Sequence, residues 1–536
     1  MKKLIFIFIV IFLWQCARQS MPAGGPQDKT PPELLSSIPS NSEKNFKGKT
    51  IELTFDELVK LKDPQEEIII TPSVGSKTKF NAKKNKIVIL PERNWKDSTT
   101  YSIAFRSGIQ DVNESNAVED LHLAFSTGPS IDSLQILGSV YELFRDKIPE
   151  KITVAVYQSD TFDIFKHKPT YFSKTNKSGA FSLQNLKAGK YFIYAFDDKN
   201  KNFKVDSKSE RFGFLNQEIN LPEKKDSLHI AIFHVDARPI KITSVRNTNS
   251  ISMIRFNKQL DAVRLKSETS PLIYTYGDLH SEIVLYKEFD KRDSLLINVH
   301  AFDSVQQELD TAVYIKYTDS KKLDEKFKLS DWQTTFDTET KKFEAQTTLS
   351  KLLLSINFDS TYIQIDTTNF QLIKPSEIKF DTLNKLLKIN TTLKIADKEN
   401  IPKPVLLLGK GAIVSIDNDS TKAQEIKINI PKPKDTGILS LEINTKESHF
   451  EVQLLSSNGT LIKSFRDLKK YTFKYLAPGE YKISVIVDTN NNGKWDAGTI
   501  YKKAEPEKVI LYKNSENKFT FPIRANWEVG PLVITF

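Results

Sequence analysis

Short runs of β-branched and aromatic residues alternate with polar ones from about residue 31 to the end of the chain. No other feature limits the fold as much. "KTIELTF", "EEIIITP", "KIVILP", "TTYSIAF" and "LHLAFST" follow one another within the first hundred residues after the N-terminal segment. Turn residues separate the runs at roughly ten-residue spacing. Alternation with period two sends successive side chains to opposite faces, so each run reads as a strand with one buried face. Convincing amphipathic helices are scarce, and "DELVKLKD" is expected to give one short helical turn. The class implied is all-β, with several short-stranded sandwiches in tandem. A chain of 536 residues is too long for one core, and roughly three to five domains are expected.

Cysteine usage tightens this. Cys16 is the only cysteine, so no disulfide can form within the chain and each sandwich must be held by its own core. Its position carries meaning. "MKKLIFIFIVIFLWQC" has two lysines, an apolar run from Leu4 to Trp14, then Gln15 and Cys16. That order is the one of a secretory signal peptide, and the apolar run is too short to span a bilayer permanently. Residues 1–15 are predicted to be the signal peptide. Residues 16–30, rich in Gly, Pro and polar residues, are predicted to be a cysteine-headed flexible tether. "LWQC" resembles a bacterial lipobox, with Trp14 and Gln15 where smaller residues are usual. The resemblance implies acylation of Cys16 and attachment to the outer membrane through two or three acyl chains.

Two sets of internal repeats organise the rest. "TIELTFDELV" (Thr50–Val59) has counterparts in "SISMIRFNKQL" (Ser250–Leu260) and "KLLLSINFDSTYI" (Lys351–Ile363). "LHLAFSTG" (Leu121–Gly128) pairs with "DWQTTFDT" (Asp331–Thr338), and "STTYSIAF" (Ser98–Phe105) with "DTAVYIKY" (Asp310–Tyr317). Three related sandwiches are therefore expected at 31–129, 238–338 and 339–432. They resemble bacterial Ig-like domains of the surface-layer-protein type, most closely in the first copy with its "PPELLSSIPSN" opening. "GGPQDKTPP" beside the cysteine resembles Ig-like lipoproteins of Bacteroidota. In the second set, "GAFSLQNLKAGKYFIYAFDDKNKNFKVD" (Gly179–Asp206) aligns with "KYTFKYLAPGEYKISVIVDTNNNGKWD" (Lys470–Asp496). Both run strand, L-x-x-G-x-Y, strand, then an Asp/Asn loop, which resembles transthyretin-like or carboxypeptidase-regulatory sandwiches. These are placed at 133–236 and 434–536. Five sandwiches in a rod or arc are the expectation.

The paired loops are the candidate metal sites. Asp488, Asn490, Asn492 and Asp496 fall at relative positions 1, 3, 5 and 9 with Gly493 at 6. This is the start of an EF-hand calcium loop, in which alternating oxygens wrap a hard cation. Position 12 holds Thr499 where a bidentate acid belongs; the nearest later acids are Glu505 and Glu507. Asp198, Asn200, Asn202 and Asp206 repeat the spacing, with Phe203 replacing the glycine. The competing reading is a plain turn, because Asn, Asp and Gly are also what tight turns require.

Other chemistry is sparse. The seven histidines are scattered, and His229 and His234, five apart on one strand, should face opposite ways. No nucleophile elbow, phosphate-binding glycine loop or His-Glu-x-x-His pattern occurs. The net charge of +10 is spread along the chain and forms no basic arm, which argues against nucleic acid. Trp495, inside the second loop, is a candidate exposed aromatic. The sequence thus predicts a non-catalytic, lipid-anchored envelope protein acting as scaffold or accessory subunit of an outer-membrane complex. β-Barrel assembly or protein export machinery is one such complex, and the envelope partners would be proteins. The alternative is a surface glycan- or peptide-binding module, stiffened by calcium. Ala17 carries no inner-membrane retention signal, and the first acid after Cys16 is Asp28. Periplasmic and cell-surface placement both stay open.

Overall fold

The computed structural model describes residues 28–118, 121–145, 147–158, 161–222, 227–268, 271–287, 293–320, 326–395 and 403–536. Cys16, the leader before it and most of the tether lie outside these residues. The described chain is nearly all strand. Helix is confined to Pro64–Glu67 and four three-residue 3-10 turns. The helical turn expected over "DELVKLKD" falls later, because Val59–Leu61 is a strand and Pro64 sets the helical φ at the first position.

The first Ig-like sandwich sets the pattern. One sheet runs in the order Leu34–Ile38, Ile51–Phe55, Lys86–Leu90, Lys79–Lys83. The facing sheet is Ile69–Thr71, Thr100–Ala104, His122–Ser126, and a short pair joins Val59–Leu61 to Ile109–Asp111. Ile51, Leu53 and Phe55 point inward with Ile87, Ile89, Tyr101 and Phe125, all buried. The odd residues of "IELTF" fill the core and the even ones meet solvent, as the alternation required.

The third Ig-like sandwich repeats this order strand for strand, but not where the sequence placed it. Its first sheet is Gln333–Asp337, Lys342–Thr348, Leu386–Thr392, Ile378–Asp381. The predicted boundary at 338/339 therefore cuts a hairpin in which Gln333 pairs with Gln346 and Asp337 with Lys342. Trp332 and Phe336 pack on the core of Phe343, Ile363 and Ile389, which fixes this hairpin to the third domain. Lys342–Thr348 is the counterpart of Ile51–Phe55. The segment matched to it from the sequence, Lys351–Ile363, instead supplies the strand Leu353–Ile356, which pairs with Ile413–Ser415. The closing strand is Gln424–Lys427.

The second Ig-like sandwich has the same four-stranded sheet: Ile242–Asn247, Ile251–Phe256, Glu282–Tyr286, Tyr274–Tyr276. Its facing sheet is Ala262–Lys266, Ser294–Phe302, Glu308–Lys316. Asp310–Tyr317 thus overlaps the closing strand, and the counterpart of Thr100–Ala104 is Ser294–Phe302.

The second repeat set aligns as read. Gly479–Val487 carries Phe521–Ile523 on its first half and Val509–Leu511 on its second. Gly189–Phe196 carries Ile219–Leu221 and Phe212–Phe214 in the same places. The tyrosine of L-x-x-G-x-Y has a structural task in both copies. The Tyr191 hydroxyl donates to the Lys187 carbonyl at 2.7 Å, and Tyr481 to Ala477 at 2.6 Å. Each ring is buried while its polar tip reaches a backbone acceptor four residues back, which pins the turn between the two strands.

By compactness the chain forms two units. One comprises the residues through Ser139 with Glu150–Ile193 and Glu218–His229; the other comprises Val140–Pro149, Tyr194–Gln217 and Ile230–Phe536. In the first, Glu67 of the Ig-like sandwich is 3% exposed and accepts from Arg106 Nε at 3.2 Å and from Lys151 Nζ at 2.8 Å. Arg106 also donates to the Lys174 carbonyl at 2.8 Å. Burial pushes the Glu67 carboxyl up, but its two cationic partners outweigh that and hold it below the usual glutamate range.

Candidate interface at the paired turns

Both Asp/Asn loops fold as turns closed on a first aspartate. Asp488 sits at the end of Gly479–Val487 and is 1% exposed. Its Oδ1 accepts from the Asn492 N–H at 3.0 Å and its Oδ2 from the Gly493 N–H at 2.9 Å. The Arg466 guanidinium, on the strand Leu461–Arg466, also bonds Oδ2. The amides of Asn490 and Asn492 donate to Asp496 at 2.6 and 2.7 Å. Gly493 adopts φ 82°, the left-handed conformation that glycine allows. The four residues named from the sequence are thus brought together.

The earlier loop repeats the design. Asp198 accepts from the N–H of Asn202 at 2.9 Å and of Phe203 at 3.1 Å, and Asn202 Oδ1 accepts from Lys204 at 2.6 Å. Phe203 takes the position of Gly493 with φ 60°. Asp206 instead caps the following turn, accepting from the Lys208 N–H at 3.1 Å.

The acid that closes each loop lies beyond the EF-hand spacing: Glu507, named from the sequence only as a later acid, and Glu210, which sequence reasoning missed. Glu507 Oε1 accepts from the Thr489 N–H at 2.7 Å and Oε2 from the Asp496 N–H at 3.0 Å. Glu210 does the same for Lys199 at 3.0 Å and Asp206 at 2.8 Å. Both glutamates are buried. Burial pushes the Glu210 carboxyl up, with the Asp198 charge adding to it. Each glutamate straps the start of a loop to its end. The groups that would hold a hard cation at 488–496 are the Asp488 and Asp496 carboxylates and the side-chain oxygens of Asn490 and Asn492. Chain donors already occupy both carboxylates: Arg466 and two N–H groups on Asp488, two amides on Asp496.

Burial pushes the Asp488 carboxyl up, but Arg466 and the two N–H donors outweigh it and hold it below the usual aspartate range. The stabilisation is fully present above the unfolded value near 3.9 and fades as pH falls through the lower folded value. Arg466→Ala should cost about 2 kcal/mol at pH 7, since it leaves a buried carboxylate with only neutral donors. The loss shrinks in acid, which unfolding midpoints measured between pH 7 and 2 will show.

Trp495 is not the exposed platform expected from the sequence. Its ring lies edge-on to Phe144 at 4.8 Å and to Phe233 at 5.5 Å, and its Nε1 donates to the Glu507 carbonyl at 2.9 Å. Around it, the Tyr501 hydroxyl donates to the Ala237 carbonyl at 2.6 Å across 264 residues of sequence. Glu505 accepts from the Asn216 N–H at 2.8 Å, and Lys502 donates to Gln306 at 3.2 Å. Within the second unit the C-terminal sandwich therefore returns onto residues of the first transthyretin-like sandwich and the second Ig-like one. A simple string was the expectation, because no sequence pattern reports contacts of this length.

In the first unit a cleft of about 310 Å³ lies between Ser102 and His122 on one side and Tyr171 and Gln184 on the other. Ser102 Oγ and His122 Nε2 are 2.6 Å apart. They share a sheet face because Ala104 stands opposite His122 and Ser102 is two residues along. Burial holds the imidazole below its ordinary value and pushes Tyr171 up to about 12. Among the described residues nothing bonds His122 Nδ1. His229 and His234 have separate partners, Ser139 at 2.8 Å and the Lys208 carbonyl at 3.0 Å.

Residues 28–127 match the bacterial Ig-like domain family. Residues 149–243 match a family described as an uncharacterized protein conserved in bacteria (DUF2141). No curated protein matches the chain. Among solved structures, the TIE protein of Bacillus anthracis is similar at 11% identity, over 96% of this chain and 76% of that one, with a TM-score of 0.12. Domains 1–6 of the surface layer protein SbsC give 10% identity over 91% and 67%, with a TM-score of 0.15. Dimeric latent PorU from Porphyromonas gingivalis gives 10% over 65% and 43%, with a TM-score of 0.23. At such TM-scores these likenesses carry no argument about function. The firm conclusion is one of architecture: the chain is a tandem array of β-sandwiches, and its first sandwich matches the bacterial Ig-like domains.

Proposed function

We propose that the chain is a lipid-anchored envelope protein that works by contact, as a scaffold or accessory subunit of an outer-membrane complex. Machinery that assembles β-barrels or exports proteins is the kind of complex meant. The observation that carries this reading is how the sandwiches are joined. Glu67 with Arg106 and Lys151 fastens one joint, and Trp495 with Phe144 and Phe233 another. Joints made of specific contacts, with Glu67 buried at one and Phe233 at the other, hold outer faces in fixed register before a partner arrives, which lowers the ordering cost of binding. The envelope placement rests on the leader and Cys16.

Two measurements on the native organism's membranes test the reading. Cys16→Ala should move most of the chain from the membrane pellet to the soluble fraction and abolish acyl labelling. The lipidated chain, purified from membranes by affinity, should carry a companion protein in fixed ratio. Recovery of the chain alone would overturn the scaffold role and leave the anchor standing. A second reading, a calcium-stiffened binding module, draws on the convergence of Asp488, Asn490, Asn492 and Asp496 in one turn. Calorimetric titration of calcium into the chain decides it. For a glycan platform the sandwiches offer less: Trp527 is exposed, but Arg524 stacks over its ring at 4.6 Å.

A further inference from the structure

The second Ig-like sandwich ends one of its sheets on a bare edge. Glu308–Lys316 pairs with Ser294–Phe302 through nine consecutive residues without a shift of register, and it is the last strand of that sheet. Several other edges are blunted. Register shifts interrupt the pairing of Leu34–Ile38, Ala180–Leu186, Ile242–Asn247 and Leu461–Arg466. Pro531 interrupts Glu528–Thr535, and a lysine stands at each end of Lys79–Lys83. Bulges, prolines and lysines are the devices that keep sheet edges from pairing with other chains. Glu308–Lys316 has no bulge or proline, and its middle reads Ala312, Val313, Tyr314. Among the described residues no backbone group bonds its free side. Tyr314 and Leu296, opposite each other on the outer face, are 62% and 59% exposed.

We propose that this edge pairs with the same edge of a second copy, antiparallel about a two-fold axis through Ala312. The order of charges selects this occupant. Turned end for end about Ala312, Glu308 faces Lys316 of the second copy, and Lys316 faces its Glu308. Opposite charges then stand directly across the strands at both ends. On the inner side, half-exposed Leu309 meets Ile315 of the second copy. A two-fold interface requires a surface complementary to itself, and this strand is so by sequence. The pairing goes beyond the scaffold role and is independent of the lipid anchor.

Sedimentation equilibrium of the purified full chain tests it. The chain should pass from monomer to dimer between roughly 1 and 200 µM, as suits a small interface. Glu308→Lys and Lys316→Glu should each weaken the dimer by about tenfold or more, because each change sets like charges across both symmetric pairs. The double variant should recover to within about threefold of the parent. Both positions are exposed, and unchanged circular dichroism will show that the variants fold. Hydrogen exchange over 308–316 should slow as the dimer forms. A chain that stays monomeric over this range overturns the pairing. So does a dimer indifferent to either single change, one that the double variant does not restore, or one without slowed exchange at this strand.

Discussion

Lys258→Met is expected to destabilise the second Ig-like sandwich by about 3–5 kcal/mol, the usual cost of stranding one member of a buried ion pair. Lys258 and Asp303 side chains are each 3% exposed and bonded to one another. The Lys258 ammonium also donates to the carbonyls of Asp236 at 2.7 Å and Arg238 at 2.5 Å. Asp303 accepts from the N–H of Val305 at 3.0 Å and of Gln307 at 2.8 Å. The Gln307 amide then reaches the Ala237 carbonyl at 2.9 Å. One buried lysine thus ties the segment entering this sandwich to its far turn. Removing it leaves a carboxylate without a counter-charge and takes a donor from the Asp236 and Arg238 carbonyls, the second of which keeps the Gln307 amide at 3.1 Å. Replacing both members, as Lys258→Met with Asp303→Leu, should recover a good part of the loss, because the desolvated charge goes with its partner. Amide exchange in Ile251–Phe256 and Ser294–Phe302 reads the effect without requiring the whole chain to unfold as one step. A loss below about 1 kcal/mol for the single change would falsify the buried-pair account.

Trp495→Ala should cost about 2 kcal/mol, less than a fully buried tryptophan because part of the ring meets solvent. The pattern matters more than the size. Exchange should quicken around Phe144 and Phe233 while Gly479–Val487 keeps its protection, since the ring packs outward from its own sandwich. If protection drops in Gly479–Val487 and stays constant at residues 144 and 233, the tryptophan holds its own loop and not the joint.

What the sequence told and hid can be traced to particular residues. Alternation reports which face a residue occupies, so the sandwich class and the inward set of Ile51, Leu53 and Phe55 were legible. It does not report which strand of a sandwich is which. "TTFDT" and "SINFD" both end a polar-apolar run on Phe-Asp, and the second was matched to Thr50–Val59 where the true counterpart is Lys342–Thr348. The boundary at 338/339 came from matching "DWQTTFDT" to the closing strand of Leu121–Gly128, whereas Gln333–Asp337 opens the third sandwich. The transthyretin-like copies escaped such an error because Tyr191 and Tyr481 mark a fixed point: each donates to a carbonyl four residues back. Glu210 stayed hidden, and Glu507 was noted without its role, because the two follow their loops at different distances, twelve residues after Asp198 and nineteen after Asp488. Trp495 lay beyond sequence reasoning altogether, since both of its ring partners come from another sandwich.

The contacts around Trp495 also bear on how the chain reaches its finished state. The chain is synthesised from its N-terminus. Phe233 and the Ala237 carbonyl appear some 260 residues before Tyr501, with which the second of them bonds, and Phe144 earlier still. Until the final hundred residues have been made, this apolar surface has no cover. A stalled or clipped molecule keeps it in the open, where proteases and holding chaperones can tell it from a complete one.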